Sequence, residues 1–230
     1  MKVIILAAGR GQRLGLNLPK SIIKLSEKCT ILDYQLRNFE KITSRNNIVL
    51  VVGFKKELII KNCKGPMYIV NDHYATTNTA RSLLFALENI EIDDVLWLNG
   101  DIIFETSIIE LIKKSKENFI CVNRSRVGEE EVKYCLDNEG YIYRISKLLD
   151  SGMGEAIGIN FIKKEDLPCF VASLRQCEDM DYFEKAIEIA INRGVKFNPL
   201  YINNRFCIEI DFKQDLHIAR EYIRNLGDVI

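Results

Sequence analysis

The chain has 230 residues, of which 47% are hydrophobic and 28% are charged. This composition can bury a substantial core, so intrinsic disorder is excluded as a general description. Lysine and arginine together number 32, as do aspartate and glutamate. The balanced charge supplies no net field to hold a nucleic acid or an anionic membrane, so neither is expected as a partner.

The short apolar stretch near the N-terminus and the scattered cysteines lead us to expect a cytoplasmic protein. The first apolar stretch, Val3–Ala8, is too short for a membrane span or a secretory leader core. Seven scattered cysteines without a C-x-x-C pair fit neither a disulfide framework nor a zinc site, so we expect reduced thiols. The two histidines, His73 and His217, lie far apart in the sequence and match the pattern of neither a catalytic triad nor a metal site.

In the first half of the chain, short strand-like segments alternate with amphipathic helices. The predicted strands, rich in Val, Ile and Leu, are Lys2–Ala8, Asn47–Val52, Met67–Val70 and Val95–Asn99. The predicted helices are Ile31–Ile42, Lys55–Asn62 and Thr77–Asn89. This alternation predicts an α/β fold, a doubly wound, Rossmann-like, mostly parallel sheet with ligands at the carboxyl ends of its strands.

After Glu117 the segments become shorter and predict an antiparallel addition. The segments are Phe119–Asn123, Glu131–Leu136, Tyr141–Ser146 and Glu155–Ile162, with a hairpin turn at 137–140. Helical spacing returns in Tyr182–Arg193 and Phe212–Leu226. Since no linker or repeat interrupts the pattern, we expect a single domain over 1–230, with halves 1–117 and 118–230.

The loop after the first strand is a candidate phosphate site. Small residues there let backbone N–H groups approach an anion, and Arg10, Arg13 and Lys20 bring three cations to the same place. The P-loop pattern is absent because Lys20 follows a proline, and the dinucleotide pattern is absent because position 14 is leucine. A solvated glycine turn is the alternative interpretation.

The motif L-A-A-G-R-G-Q-R-L, followed by P-K, resembles the N-terminus of nucleotidyltransferases of the sugar-nucleotide and cytidylyltransferase superfamily. The segments around Asp101, Glu155 and Asp211 agree with it, so the resemblance covers nearly the whole chain. It implies transfer of a nucleotidyl group from a nucleoside triphosphate, with release of pyrophosphate and without a protein nucleophile. By this resemblance 1–117 binds the nucleotide, whereas 118–230 binds the acceptor and completes the metal site.

Three acidic residues are candidate Mg²⁺ ligands. Asp101 follows a buried strand, and Glu209 alternates with apolar residues so that it shares a face with Asp211. Magnesium takes one or two carboxylates together with phosphate oxygens and water. The resemblance assigns the metal to Asp101 and Asp211, with Glu209 as a further candidate. The alternatives are a turn for Asp101 and a helix cap for Asp211.

The resemblance also assigns roles in binding and catalysis. It places the nucleotide against Leu6, Ala7, Ala8, Gly9, Arg10 and Gly11, with Asn78, Ser82 and Asp101 nearby. Asn78 has a helix cap as its alternative role. Arg13, Lys20 and Lys147 are the expected catalytic cations, and Lys147 and Glu155 are expected to face the acceptor. A surface lysine at a hairpin end is the alternative for Lys147.

Only the resemblance indicates which nucleotide and which acceptor to expect. The chain is similar to small cytidylyltransferases that act on phosphocholine or 2-aminoethylphosphonate, which implies CTP as donor and a small phosphorylated acceptor. Tyr74, Trp97 and Tyr182 are either aromatics that enclose an alkylammonium group or ordinary packing residues. A sugar-1-phosphate nucleotidyltransferase and a catalytically silent nucleotide-binding regulator are the alternatives, and a homodimer is compatible with all three.

Overall fold

A computed structural model describes residues 1–124, 128 and 131–227. In chain order the strands are β1 (Lys2–Ala7), β2 (Lys24–Ser26), β3 (Cys29–Thr30), β4 (Ile48–Val52), β5 (Met67–Val70), β6 (Val95–Asn99), β7 (Ile102–Phe104), β8 (Phe119–Val122), β9 (Lys133–Leu136), β10 (Ile142–Ser146), β11 (Ala156–Ile162), β12 (Asn198–Tyr201) and β13 (Cys207–Glu209). The helices are α1 (Ile31–Phe39), α2 (Lys56–Asn62), α3 (Thr79–Glu88), α4 (Ser107–Lys114), α5 (Leu167–Leu174), α6 (Phe183–Asn192) and α7 (Lys213–Asn225).

Seven of the described strands form one sheet in the order β12-β8-β11-β6-β1-β4-β5. Strand β1 pairs in parallel with both β4 and β6, and β5 continues the parallel edge. Strand β11 runs antiparallel to its neighbours β6 and β8. The predicted α/β fold, a mostly parallel sheet with antiparallel members, is therefore confirmed, and the reversed strand lies inside the sheet.

Helices cover both faces of this sheet because its central strands are apolar on both sides. Strands β1, β4 and β6 consist mostly of buried apolar residues, chiefly Val, Ile and Leu. Helices α1, α2 and α4 pack on one face, whereas α3, α5 and α6 pack on the other. Within the described residues, no helix combines the length and apolar character needed to cross a membrane.

Trp97 belongs to the core between the sheet and the helices. Its side chain is fully buried, and its ring stacks on Phe170 at a centroid distance of 5.0 Å. The suggestion that Trp97 encloses a substrate is therefore wrong, whereas its alternative as a packing residue is correct. Position alone explains this, because a residue in the middle of a strand that is covered on both faces cannot reach a ligand.

Besides the short strands β2, β3 and β7, three longer elements were not predicted from the sequence: α4, α5 and β12. Helix α4 does carry a signal, because Ile108, Ile109 and Ile112 form its buried face. Helix α5 is apolar around most of its circumference and has a proline in its first turn, so periodicity says little about it. Strand β12 contains a proline and is only partly buried, as suits its place at a sheet edge.

Gly154, just before β11, is required by close backbone packing. A Cβ atom at this position would lie 1.9 Å from the backbone oxygen of Asn123. We expect Gly154→Ala to destabilise the protein by about 1–3 kcal/mol, as overpacking does. For a chain of this size, each kcal/mol lowers the melting temperature by roughly 2–4 °C.

Thermal unfolding followed by circular dichroism tests this expectation, with Gly9→Ala as the matched control. A Cβ atom at Gly9 meets nothing within 4 Å. Equal melting temperatures for the two variants would contradict the packing argument.

Candidate active site

The loop after β1 forms one wall of a cavity of about 470 Å³. Strand β1 ends at the carboxyl edge of the sheet, where open α/β sheets bind ligands. All six predicted nucleotide-contacting residues from Leu6 to Gly11 line the cavity. Gly11 has a positive φ of 59°, and a Cβ atom there would meet the stem of Lys20 at 2.5 Å. A glycine at this position thus lets Lys20 lie across the loop.

The second wall is built by Gly100, which brings Asp101 to the same edge. The backbone N–H of Gly100 donates to the oxygen of Leu6 at 2.8 Å. A Cβ atom on Gly100 would lie 2.8 Å from that same oxygen. The close approach of the two chain segments therefore places Asp101 directly beside the loop after β1.

Glu209 and Asp211 reach the cavity through the antiparallel pair β7 and β13. Residue 209 at the end of β13 pairs with residue 102 at the start of β7, immediately after Asp101. The N–H of Ile210 then donates to the oxygen of Asp101 at 3.0 Å. Strand β13 itself ends at Glu209, two residues before Asp211, where the predicted alternation ended, but both acids still line the same cavity.

Asp101, Glu209 and Asp211 form a group of carboxylates suited to a divalent cation. One oxygen from each lies within 4.8 Å of the others. Carboxylate oxygens are the hard ligands that Mg²⁺ prefers. The residues present therefore fit a magnesium ion. The alternative role of Asp211 as a helix cap is not what the structure has, since its carboxylate contacts Lys20 and Arg13.

Lys20 lies between two of these carboxylates. Its Nζ atom is 2.8 Å from Asp101 and 2.6 Å from Asp211. Partial burial would lower the pKa of Lys20, but the two ion pairs outweigh it and hold the pKa well above its ordinary value. The ammonium is therefore charged at every physiological pH and offsets the repulsion between the acids.

The pKa values of the acids reflect the same arrangement. Partial burial would raise the pKa of Asp211, yet the hydrogen bond and charge of Lys20, with Arg13 and Lys147, lower it. The pKa of Glu209 is raised, because surrounding protein atoms remove part of its hydration and Asp101 and Asp211 repel a third negative charge. Lys20 thus favours the charged form of Asp211, whereas burial and the neighbouring acids disfavour the charged form of Glu209.

Arginine side chains extend from the rim of the cavity. Arg13 donates to Asp211 at 3.2 Å and is half exposed. The guanidinium of Arg10 lies 5.5 Å from the ring centre of Tyr74, which lines the opposite side. Two of the three predicted loop cations thus contact the acids, and the third lies at the rim.

Asn78 caps α3 and also lines the cavity. Its Oδ1 atom accepts from the N–H of Thr79 at the start of α3, as a cap does, and it also lines the cavity. Ser82 lines the cavity as well, but its hydroxyl accepts from the buried amide of Asn71. The loop at 179–181 closes this side through backbone bonds from Asn78 and Ala80.

Lys147 and Glu155 lie beyond the wall of the cavity. Lys147 follows β10, and its Nζ atom lies 5.0 Å from the ring centre of Tyr182, a residue of the cavity rim. Glu155 instead accepts a hydrogen bond from Asn123 at 2.8 Å, and burial raises its pKa. The structure therefore brings Lys147 next to the cavity through Tyr182 and turns Glu155 toward β8.

Comparison with known proteins places this architecture in a family. Residues 3–164 match the model of the MobA-like NTP transferase domain. This match covers more than half of the chain. The chain belongs to the MobA-like NTP transferase family. The predicted nucleotidyltransferase is therefore confirmed as its enzyme class.

Several relatives resemble this nucleotidyltransferase over different lengths. The "Bifunctional protein GlmU" of Methanococcus maripaludis is 33% identical over 91% of this chain, and the match spans 55% of that protein. The chain thus spans about half the length of the GlmU proteins it matches. The "CMP-5'-(3-aminopropyl)phosphonate synthase" of Streptomyces rubellomurinus is 31% identical over 51% of this chain and 20% of its own length.

Solved structures share the fold of this nucleotidyltransferase over its full length. The inositol-1-phosphate CTP transferase of T. maritima has a TM-score of 0.81 at 19% identity and covers 100% of this chain and 97% of its own. The CTP:phosphocholine cytidylyltransferase of Streptococcus pneumoniae has a TM-score of 0.79 at 21% identity, covering 96% of this chain and 98% of its own. At these identities the likeness concerns the fold.

Proposed function

We propose that this nucleotidyltransferase transfers CMP from CTP to a small phosphorylated or phosphonylated alcohol and releases pyrophosphate. The observation that carries the proposal is the convergence of Lys20, Asp101 and Asp211 beside the glycine-rich loop after β1. Such a site can place a triphosphate and a second anion side by side while offsetting their charge. Catalysis of this kind depends on positioning and electrostatic stabilisation, and it needs no protein nucleophile.

In the proposed reaction, a phosphate or phosphonate oxygen of the acceptor attacks the α-phosphorus in line. The bond between the α-phosphorus and the bridging oxygen breaks, and pyrophosphate leaves with that electron pair. Arg13 and Lys20 bind triphosphate oxygens, and Lys147 binds the acceptor anion. Asp101 and Asp211, with Glu209, are the residues that would hold Mg²⁺, which when bound neutralises charge at the reacting phosphate.

The choice of CTP and of an aminoalkyl acceptor is supported by relatives. They include a CTP:phosphocholine cytidylyltransferase and a CMP-5'-(3-aminopropyl)phosphonate synthase. The cavity wall at Ala7, Ala8 and Gly9 has no bulky side chain, so a pyrimidine edge can approach the backbone there. Glu155 stays a predicted acceptor residue, although its carboxylate faces Asn123 in this arrangement.

A sugar-1-phosphate or related cyclic polyol phosphate is the second candidate acceptor, with CTP, UTP or GTP as donor. The observation that favours it is the fold shared over the whole chain with an inositol-1-phosphate CTP transferase. Pyrophosphate release measured over a matrix of nucleoside triphosphates and acceptors separates the two. Turnover of phosphocholine or aminoethylphosphonate with CTP supports the first candidate, and faster turnover of hexose 1-phosphates supports the second. If no combination of nucleoside triphosphate and acceptor gives pyrophosphate release, the proposal is wrong.

Replacing Lys147 by alanine is expected to affect the acceptor far more than the nucleotide. A lysine beside the cavity offsets repulsion between the acceptor phosphate and the triphosphate, so its loss weakens acceptor binding. We expect the acceptor KM to rise about tenfold, which corresponds to about 1.4 kcal/mol. Lys196→Ala serves as the control, since Lys196 pairs with Glu139 at the surface. A change in the nucleotide KM alone would exclude the assignment.

A further inference from the structure

A fully buried glutamine lies on the apolar face of α1, outside the set of predicted site residues. Gln35 follows Leu32 by three residues and precedes Phe39 by four, and both of these belong to the apolar core under the helix. The Oε1 atom of Gln35 has no hydrogen-bond partner among the described residues. Because a buried amide oxygen without a donor is unfavourable, an apolar side chain of similar length would avoid that cost. A reason for glutamine at this position is therefore to be sought in the N–H groups of its amide.

Those N–H groups hold the two ends of the turn that carries Asp101. The Nε2 atom of Gln35 donates to the carbonyl oxygen of Asn99 at 3.0 Å and to that of Ile102 at 2.9 Å. Asn99 ends β6 and Ile102 begins β7, so only Gly100 and Asp101 lie between the two acceptors. The reverse orientation of the amide would place its oxygen against two carbonyl oxygens. One side-chain amide thus links the strand ends on either side of the acid.

Two backbone hydrogen bonds hold the rest of this turn. The N–H of Gly100 donates to the oxygen of Leu6 at 2.8 Å, and the oxygen of Asp101 accepts from the N–H of Ile210 at 3.0 Å. The turn is therefore held by β1, by the segment after β13 and, through Gln35, by α1. Since the contact from α1 is made by a side chain, a substitution can remove it and leave the two backbone contacts in place.

We propose that Gln35 is a positioning residue for Asp101, whose carboxylate it keeps within reach of Asp211 and Glu209 by holding the turn at 99–102. One oxygen from each of the three acids lies within 4.8 Å of the others, which is the spacing to be kept. Without the amide, two carbonyl oxygens lose a donor and the turn relaxes to find another. Groups that orient a metal ligand typically contribute about 10–100-fold to metal affinity or activity. The inference rests on the proposed function, because it takes Asp101 as a Mg²⁺ ligand.

The test compares Gln35→Met with Tyr34→Phe in the full chain. Methionine is close to glutamine in length but has no side-chain N–H. The hydroxyl of Tyr34, the preceding residue of α1, is buried and donates to the oxygen of Phe104 at 2.6 Å. Tyr34→Phe therefore removes a buried hydrogen bond between the same helix and β7, beyond the turn that carries Asp101. A general loss of stability would show in both variants, whereas a change in the turn is expected of Gln35→Met alone.

Both readouts are taken by NMR and need no substrate. The first is the hydrogen-exchange rate of the Gly100 amide relative to that of the Asn71 amide, which donates to Val52 at 2.8 Å and reports general opening. The second is the midpoint of a Mg²⁺ titration followed through the Asp101 amide signal. In Gln35→Met we expect Gly100 to exchange about tenfold faster and the midpoint to rise about tenfold. In Tyr34→Phe both should stay within about twofold of the wild type.

A second substitution covers the case in which Gln35→Met does not fold. Gln35→Asn keeps an amide, but its side chain is one methylene too short to reach both oxygens, so the same two changes are expected at smaller size. Exchange at Gly100 that stays at the wild-type rate in the folded variant would overturn the inference. So would equal acceleration in Tyr34→Phe, or faster exchange with an unchanged Mg²⁺ midpoint.

Failure of the proposed function is distinguishable from failure of this inference. If the wild type responds to Mg²⁺ but turns over no pair of nucleotide and acceptor, the proposed function is wrong, and exchange and titration still decide the role of Gln35. If the wild-type Asp101 signal does not respond to Mg²⁺ at all, the metal assignment is wrong and the inference with it.

Discussion

Replacing Asp101 or Asp211 by asparagine is expected to lower turnover by about two to three orders of magnitude, the scale seen when a group that stabilises transition-state charge is removed. Each substitution keeps the shape of the side chain but removes one of the carboxylates that lie within 4.8 Å of one another. Turnover would be measured as pyrophosphate release over a range of Mg²⁺ concentrations. A shift of the half-saturating Mg²⁺ concentration to higher values is the signature expected of a lost ligand.

Asp72→Asn provides the matched control for this pair. Asp72 is paired with Lys56 at 2.6 Å, but its side chain is well exposed and does not line the active-site cavity. The Asp72→Asn variant should therefore keep a turnover and a Mg²⁺ dependence close to those of the wild type. Near wild-type turnover in either Asp101→Asn or Asp211→Asn would show that the metal role assigned to that residue is wrong.

Lys20→Ala is expected to slow turnover by roughly 10–150-fold, since a charge-assisted hydrogen bond contributes about 1.5–3 kcal/mol. The substitution removes the ammonium that contacts both Asp101 and Asp211. Some stability is lost as well, because the acids then repel each other without compensation. The lost stability should be recovered when Mg²⁺ is added, whereas the loss in turnover should persist.

Single-turnover kinetics and thermal unfolding with and without Mg²⁺ measure these two effects separately. Lys56→Ala is the control, because it breaks an ion pair of similar length at the surface. If turnover in Lys20→Ala fell only in proportion to the fraction of unfolded protein, Lys20 would have a structural role and no catalytic one.

The meeting of Lys20 and Asp101 at one edge of the sheet was predictable because it follows from strand order. Strand β1 and its neighbour β6 both end at the carboxyl edge, so Lys20 and Asp101 had to come close once a parallel sheet was inferred. The alternation of acids with apolar residues put Glu209 and Asp211 on one strand face, but only the resemblance to nucleotidyltransferases assigned Asp211 to the same site. The argument for Lys20 and Asp101 uses local patterns together with one rule about sheets.

The surroundings of Lys147, the proposed acceptor residue, could not be derived in the same way. Lys147 comes next to the cavity only through the ring of Tyr182, which immediately precedes α6. That placement depends on how α6 approaches α3 and on the backbone bonds of the 179–181 loop, which are contacts distant in sequence. Glu155 shows the converse case: its motif was recognised, but the hydrogen bond from Asn123 sets its direction.

The reversed direction of β11 has a consequence for how acceptor preference can diverge. Because β11 is antiparallel, its first residue, Ala156, pairs with Val122 at the carboxyl end of β8. The chain segment between them therefore leaves and re-enters the sheet on the side of the candidate active site, and it contains the hairpin of β9 and β10 that leads to Lys147. Under the proposed function, insertions and deletions in this segment can remodel the surroundings of the acceptor without changing the register of β1, β4 and β6. Exchange of the 123–155 segment between relatives is thus a natural route to new acceptors with an unchanged donor.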